Sequence, residues 1–306
     1  MQIWKKHKLI ITPQMLMQGY TYAAVPVALH LQGDVYRIYF SSRNSLNQSI
    51  PFYFDYNLVT EKITGSISDP LMQPGALGCF DDSGVMPTCL IKQDNKILMY
   101  YIGWNLGVTV PFRNAIGMAV SEDNGVSFKR LYEGPVVDRN KNEPHFTASC
   151  HVINEDEIYK MWYLSCVKWE RIENKITHFY NIKYAESADG IDWNRTGHTA
   201  IDFSYKDEYA ISVPRVINEN GLYKMWYSYR AGKQSTAYRI GYAESLNGKD
   251  WIRKDDEINL DVTPGSWDGD MICYPFVFDH NQKRYMLYNG NGYGKSGIGI
   301  AVLENQ

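Results

Sequence analysis

One phrase recurs along the chain. A hydrophobic, aromatic run forms around a methionine at Met99-Tyr100-Tyr101, Met161-Trp162-Tyr163, Met225-Trp226-Tyr227 and Met286-Leu287-Tyr288, and a weaker copy, Ile38-Tyr39-Phe40, precedes them. The four methionines are 62, 64 and 61 residues apart. Self-similarity at a fixed period of this size marks a repeat architecture. About 60 residues of short strands make one four-stranded sheet, so five copies predict an all-β chain: a single five-bladed β-propeller over residues 1–306.

Each copy opens with a short strand, at Ala24-Val25-Pro26-Val27, Val85-Met86-Pro87-Thr88, Ala148-Ser149-Cys150-His151, Ser212-Val213-Pro214-Arg215 and Cys273-Tyr274-Pro275-Phe276. Turns rich in Asn, Asp and Gly follow, such as Asn218-Glu219-Asn220-Gly221, because these residues tolerate positive φ or bond their own backbone. The methionine strand is next. A third strand then runs into Asn124-Gly125, Asp189-Gly190 or Asn247-Gly248, strong hairpin signals, and an aromatic residue (Phe128, Trp193, Trp251) begins a fourth, outer strand. The last copy stops after its third strand. Trp4-Lys5-Lys6 looks like Trp193-Asn194-Arg195 and Trp251-Ile252-Arg253, so the N-terminal strand is expected to complete the last blade and close the ring. Closure would remove an exposed sheet edge.

Composition narrows the function. The net charge is −3 and no basic run occurs, which disfavours nucleic-acid binding. No segment is long and apolar enough to span a bilayer, and residues 1–17 lack the apolar stretch of a signal peptide. Five cysteines without C-x-x-C spacing read as free thiols of a cytoplasmic protein, with no metal held by them.

A propeller concentrates chemistry at the mouth of its central channel. The slot about six residues before the centre of each first strand holds Tyr20, Asp81, Glu143, Glu208 and Gly269, with Asp82, Asp207, Asp268 and Asp270 beside them. Acids from four blades are therefore expected to converge. Like charges in a partly dry site raise one another's pKa, supplying the protonated acid and ionised base that glycosidic chemistry needs. Asp81, Asp82, Glu143, Glu208, Asp268 and Asp270 are the catalytic candidates. The same cluster suits a divalent cation such as calcium, although no cofactor is required. Blade-opening turns also use Asp for structural hydrogen bonds, so each acid has a structural alternative.

Other residues are candidates for substrate binding. Arg43 and Arg113 suit bidentate recognition of a carboxylate or phosphate. Arg215 lies inside an innermost strand, where pairing with Glu143 or Glu208 would explain its charge. His145, Tyr20, Asp207, Trp267 and Asn289 complete the set, each with a packing or hydrogen-bonding role as its alternative. Asn289-Gly290-Asn291-Gly292-Tyr293-Gly294 reads as a loop near the mouth, not a phosphate-binding P-loop, because no helical pattern follows it.

Tyr159-Lys160-Met161-Trp162-Tyr163 and Tyr184-Ala185-Glu186-Ser187, repeated at Tyr223-Lys224-Met225-Trp226-Tyr227 and Tyr242-Ala243-Glu244-Ser245, resemble the five-bladed glycosidase superfamily. That superfamily includes arabinanases, β-xylosidases, invertases and levansucrases, with β-mannoside phosphorylases as further relatives. Phe80-Asp81-Asp82-Ser83-Gly84, Tyr101-Ile102-Gly103-Trp104-Asn105 and the Tyr288–Gly294 run are similar to "glycosylase" proteins of bacterial surface-polysaccharide gene clusters. The resemblance implies three acids on successive inner strands, carried over to Asp81 or Asp82, Glu143 and Glu208. The chain departs from the pattern at its first inner strand, Tyr20 to Leu29, which has no carboxylate where the arabinanase-like general base belongs. Either the set is rotated by one blade to include Asp268 or Asp270, or the chemistry differs.

The leading expectation is a glycoside hydrolase-like enzyme acting on a carbohydrate or nucleotide sugar. Glycosyl transfer or phosphorolysis is the alternative, since an acceptor or phosphate then supplies the nucleophile. A non-catalytic sugar-binding propeller and a protein-interaction scaffold are the other classes.

Overall fold

The computed structural model describes residues 1–230 and 237–304, and they are nearly all β. One four-residue helical turn, Asn291–Gly294, and two 3-10 turns, Pro13–Met15 and Asp255–Glu257, are the only helical pieces among the described residues. The strands form five antiparallel meanders in chain order. The first comprises Ala24–Gln32, Val35–Arg43, Ser49–Asn57 and Lys62–Thr64; the second Gly84–Gln93, Lys96–Leu106, Phe112–Ser121 and Lys129–Arg130. The third comprises Thr147–Glu155, Ile158–Ile172, Lys175–Ser187 and Thr199–Ile201; the fourth Ala210–Glu219, Leu222–Arg230, Arg239–Ser245 and Ile252–Arg253. The fifth uses Cys273–His280, Lys283–Asn289 and Ile298–Leu303, and its outer strand is Gln2–Ile11 from the other end of the chain. Trp4 pairs with Leu303 and Lys6 with Ala301, the pairing expected from the Trp-Lys-Lys phrase.

The opening strands of successive repeats lie side by side in the order first, second, third, fourth, fifth and back to first. Single parallel pairs, Ser49 with Gly84 and Tyr180 with Ala210, fuse the first meander to the second and the third to the fourth. The second strands are covered on both faces, which is why their methionine phrases are apolar without alternation. Met99, Met161, Met225 and Met286 are fully buried.

In the first four repeats the aromatic residue after the strand centre (Ile38, Met99, Met161 or Met225) joins one repeat to the next. Tyr39 Oη donates to the Gly125 carbonyl at 2.9 Å, Tyr100 Oη to Gly190 at 2.7 Å, and Trp162 Nε1 to Gly248 at 2.7 Å. Those glycines close the Asn-Gly or Asp-Gly turns of the following repeat. Gly125 requires its residue type twice over: its φ is 79°, and a Cβ there would sit 2.0 Å from the Tyr39 hydroxyl. Trp226 Nε1 continues the series to Gln2 Oε1 at 3.0 Å. Leu287 cannot, so the fifth-to-first joint uses other bonds: Val25 N to Asn289 Oδ1 at 2.8 Å and His280 Nε2 to Asp34 at 2.8 Å.

The outer strands are shorter than the sequence suggests. Phe128 and Trp251 precede strands of two residues, and Trp193 is followed only by an isolated Glu186–Asn194 bridge, the outer strand proper forming at Thr199–Ile201. Their basic residues turn inward to neutralise buried acids, as described below. All five cysteines are free, and no helix among the described residues is long and apolar enough to cross a membrane.

Candidate functional site

Asp81, Glu143 and Asp268 obey one local rule. Each is buried, and each accepts a hydrogen bond from the tyrosine twenty residues ahead, on the second strand of its own repeat: Tyr101 at 3.1 Å, Tyr163 at 2.9 Å and Tyr288 at 3.1 Å. Each also meets a base from its own outer strand region. Arg130 Nε reaches Asp81 at 2.8 Å, Lys6 Nζ reaches Asp268 at 2.6 Å, and Arg195 lies 3.7 Å from Glu143. Glu143 also accepts from Ser165 Oγ at 2.7 Å and has Lys183 Nζ at 3.8 Å. Glu208 carries an enlarged version. Arg253 forks onto both its oxygens at 2.7 and 2.9 Å and also holds Asp255, which accepts from Tyr227 at 2.7 Å. The first repeat replaces the whole device with rings: Tyr20 packs edge-on against Phe52 at 4.8 Å, and Phe40 stands where the other repeats have the tyrosine.

These acids therefore do not converge on a common cavity. Each carboxylate is directed into its own meander, where a charged partner and hydrogen bonds offset the cost of burial, with one oxygen of Asp81 and one of Asp268 left without a hydrogen-bond partner. The equivalent slot in the fifth repeat is Asp268, one residue before Gly269. Asp82 closes a turn, accepting from Gly78 N and Ser83 Oγ, both at 3.0 Å. Asp207 and Asp270 are exposed. Among the described residues no three His, Cys, Asp or Glu side chains are grouped to hold a metal ion.

The expected binding residues divide similarly. Trp267 packs on Tyr288 at 5.3 Å between ring centroids, while Arg113 and His145 are half-buried and line no part of the cavity described next. Arg215 pairs with neither Glu143 nor Glu208. It donates to the Val277 carbonyl at 2.7 Å, lies over Phe276 and meets His151 Nε2. Burial followed by the Arg215 charge pushes the His151 imidazole well below its ordinary pKa, so this pair is a cation beside a neutral ring. Asn289 is fully buried and bridges Val25 N, the Ala23 carbonyl and the Gly297 carbonyl. Arg43 alone of the expected residues lines the cavity.

That cavity, about 550 Å³, lies where all five opening strands meet, with Val25, Met86, Ser149, Val213 and Tyr274 in its wall. Val25, Val213 and Tyr274 have φ of 54°, 51° and 58°, each directly before a proline and at a break in strand register. A left-handed β-branched residue is strained by about 1–3 kcal/mol. Side chains of neighbouring repeats hold these bulges: Val25 N donates to Asn289 Oδ1 at 2.8 Å, Val213 N to Ser149 Oγ at 3.0 Å, and Tyr274 N to Ser228 Oγ at 2.7 Å. Strain of this kind gathers at functional sites.

Two further repeat positions supply the polar wall. Arg43 and Arg230 both lie five residues after the strand centres Ile38 and Met225; Asn114, Tyr180 and Tyr238 share a slot at the start of the third strands. Arg230 lies 4.0 Å over the Tyr238 ring and donates to Tyr293 Oη at 2.8 Å. Tyr180 and Tyr238 hydroxyls are bonded to one another. The third repeat's second hairpin, Ile158–Ile172 with Lys175–Ser187, overshoots its sheet and brings His178 to the rim, stacked on Tyr180 at 5.1 Å. Burial, then Arg230 and Lys175, lowers the His178 pKa to about 4, so it is neutral at pH 7. Burial, with Tyr238 next to it, pushes the Tyr180 phenol well up, leaving it a hydrogen-bond donor and not a base.

Sequence reasoning missed Arg230, Tyr180, Tyr238, Tyr274 and His178. The signal available was repeat position: Arg230 occupies the same slot as Arg43, a candidate on sequence grounds.

Solved structures share this architecture. A glycoside hydrolase matches with TM-score 0.78 at 15% identity, over 99% of this chain and 92% of that one. A thermostable family-43 glycoside hydrolase matches with TM-score 0.69 at 17% identity, over 93% and 88%. The endo-arabinase of Bacteroides thetaiotaomicron VPI-5482 matches with TM-score 0.64 at 14% identity, over 98% of both chains. The fold is thus the β-propeller-like one of glycoside hydrolases.

In sequence, the chain is 41% identical over 304 residues to "Uncharacterized protein Rv1502" of Mycobacterium tuberculosis (strain ATCC 25618 / H37Rv), covering 99% of each, and likewise to "Uncharacterized protein MT1551" of strain CDC 1551 / Oshkosh. It belongs to the family of these two proteins. No family model matches the chain.

Proposed function

We propose that the protein is a carbohydrate-active enzyme of glycoside hydrolase-like design, a closed five-bladed propeller that takes a glycosyl unit into the axial cavity. The observation that carries this reading is the cavity itself. It has the volume of a small-ligand site, aromatic walls, and hydrogen-bond donors from several repeats. The resemblance to proteins of surface-polysaccharide gene clusters supports a substrate drawn from that chemistry, including nucleotide sugars.

A second reading is favoured by one specific finding. No Asp or Glu lines the cavity, and residues 231–236 contain none. Hydrolysis by two facing carboxylates needs both beside the scissile bond, and here Asp81, Glu143, Glu208 and Asp268 are engaged elsewhere. Transfer or phosphorolysis, in which the acceptor or phosphate brings the nucleophile, asks less of the wall; sugar binding without turnover asks least. The test is a mass-spectrometric product screen of the purified protein with oligosaccharides and nucleotide sugars, with and without acceptor glycans or phosphate. Product in plain buffer establishes a hydrolase. Product only with acceptor or phosphate establishes transfer or phosphorolysis, and binding without product reduces the protein to a lectin-like role.

A further inference from the structure

The cavity holds an imbalance of charge. Arg43 and Arg230 line it, Lys175 stands at its rim, and no carboxylate faces them. Elsewhere most half-buried arginines have an acid: Arg37 has Asp55, Arg130 has Asp81, Arg253 has Glu208 and Asp255, and Arg284 has Asp279 and Glu219. Arg113 and Arg215 are exceptions outside the cavity, Arg215 being held by the Val277 carbonyl and the Phe276 ring. The two cavity arginines have none among the described residues. Arg43 donates only to the Asn47 carbonyl at 2.8 Å and lies over the Trp104 ring. Arg230 has Tyr293 Oη and the Tyr238 ring, and its Nε is buried with no hydrogen-bond partner.

Tyr274 lines the same cavity as the two arginines. Burial lowers the Arg43 pKa. Burial opposes the Arg230 charge as well, and the rings and hydroxyls of Tyr238 and Tyr293 are the groups set against it. Cations removed from water without a counter-ion are costly. An anion entering the cavity would relieve that cost and gain charge-assisted, planar hydrogen bonds. The neighbouring Tyr22, Tyr238, Tyr274 and Tyr293 provide ring faces and hydroxyls for the rest of a ligand.

We propose that the cavity selects a saccharide bearing an anionic group, a carboxylate or a phosphate, clamped by Arg230 together with Arg43. The inference rests on the carbohydrate reading above and adds its substrate class. The test is native mass spectrometry and calorimetry on the full chain. The panel holds neutral hexoses, the matching hexuronates and hexose 1-phosphates, nucleotide sugars, and inorganic phosphate alone. Anionic saccharides are expected to bind about tenfold or more tightly than their neutral counterparts, as a hydrogen bond to a charged group allows. Arg230→Gln removes that preference; Arg43→Gln weakens it. A melting curve for each variant establishes that it is folded, and Arg230→Lys, which keeps the charge but not the fork, retains only part of the preference. Uronate against phosphate binding identifies which anion is read. Equal binding of neutral and anionic sugars overturns this inference alone. Inorganic phosphate binding as tightly as the hexose phosphates overturns the saccharide part of it. Failure of every saccharide to bind overturns the carbohydrate reading itself.

Discussion

Two sets of buried charge sit within a few residues of the same strands, and the protein treats them oppositely. At the acid latches, every carboxylate has its cation: Asp81 with Arg130, Glu143 with Lys183 and Arg195, Glu208 with Arg253, Asp268 with Lys6. In the axial cavity, Arg43 and Arg230 have no acid among the described residues. The carboxylates expected from residue type to be catalytic are bonded within their own repeats, while the polar wall of the cavity includes Arg43, Arg230 and several tyrosines.

Substitutions should separate the two regions. The largest effect is expected at Glu143→Gln. It leaves Lys183 and Arg195 without their anion, and breaking a buried pair costs about 3–5 kcal/mol. Chemical denaturation should record that loss, while saccharide binding by the folded fraction stays as in the unaltered protein. Normal stability with abolished turnover would instead make Glu143 catalytic.

Acid should act next, through His178. Its folded pKa of about 4 lies below the ordinary 6.5. Between those values the unfolded chain binds a proton that the folded chain refuses, so stability is complete above about pH 6.5 and falls as the pH drops toward 4. Burial is the main cause and the charges of Arg230 and Lys175 add to it. His178→Phe should flatten that part of the stability–pH curve; an unchanged slope would mean other groups carry it.

A smaller loss is expected at the joints between repeats. Trp162→Phe removes one of the two donors to the Gly248 carbonyl, Trp251 Nε1 being the other, and should cost about 1 kcal/mol, measured by denaturant midpoint. The smallest effect on stability is expected from Arg230→Gln. Losing its place over Tyr238 and losing an unpaired cation oppose one another, so the net change should stay within about 1 kcal/mol.

The repeat was legible because a 60-residue period and the Asn-Gly turns are local features of the chain. The pairing of Gln2–Ile11 with Ile298–Leu303 was legible for the same reason, through the likeness of Trp4-Lys5-Lys6 to Trp251-Ile252-Arg253. The direction of each acid was not. Asp81 and Glu143 sit in the loops that open the repeats, and whether such a side chain points to the axis or into its meander depends on a tyrosine twenty residues ahead. That spacing is written in the sequence at Asp81 and Tyr101, Glu143 and Tyr163, and Asp268 and Tyr288, but it acquires meaning only when the first and second strands are paired. Arg230 was hidden differently. It ends a strand in the slot of Arg43, and only the ring arrangement shows that slots from the first and fourth repeats share one cavity. The left-handed residues Val25 and Val213 carry no sequence signal beyond the proline after each.

The most direct test of the contrast is a crossed pair of measurements on Glu143→Gln and Arg230→Gln, each assayed for unfolding free energy and for binding of an anionic saccharide. The account predicts that Glu143→Gln loses stability and keeps binding, whereas Arg230→Gln keeps stability and loses binding by about tenfold or more. The reverse pattern, a Glu143→Gln of unaltered stability that no longer binds the saccharide beside an Arg230→Gln with unaltered binding, would contradict it.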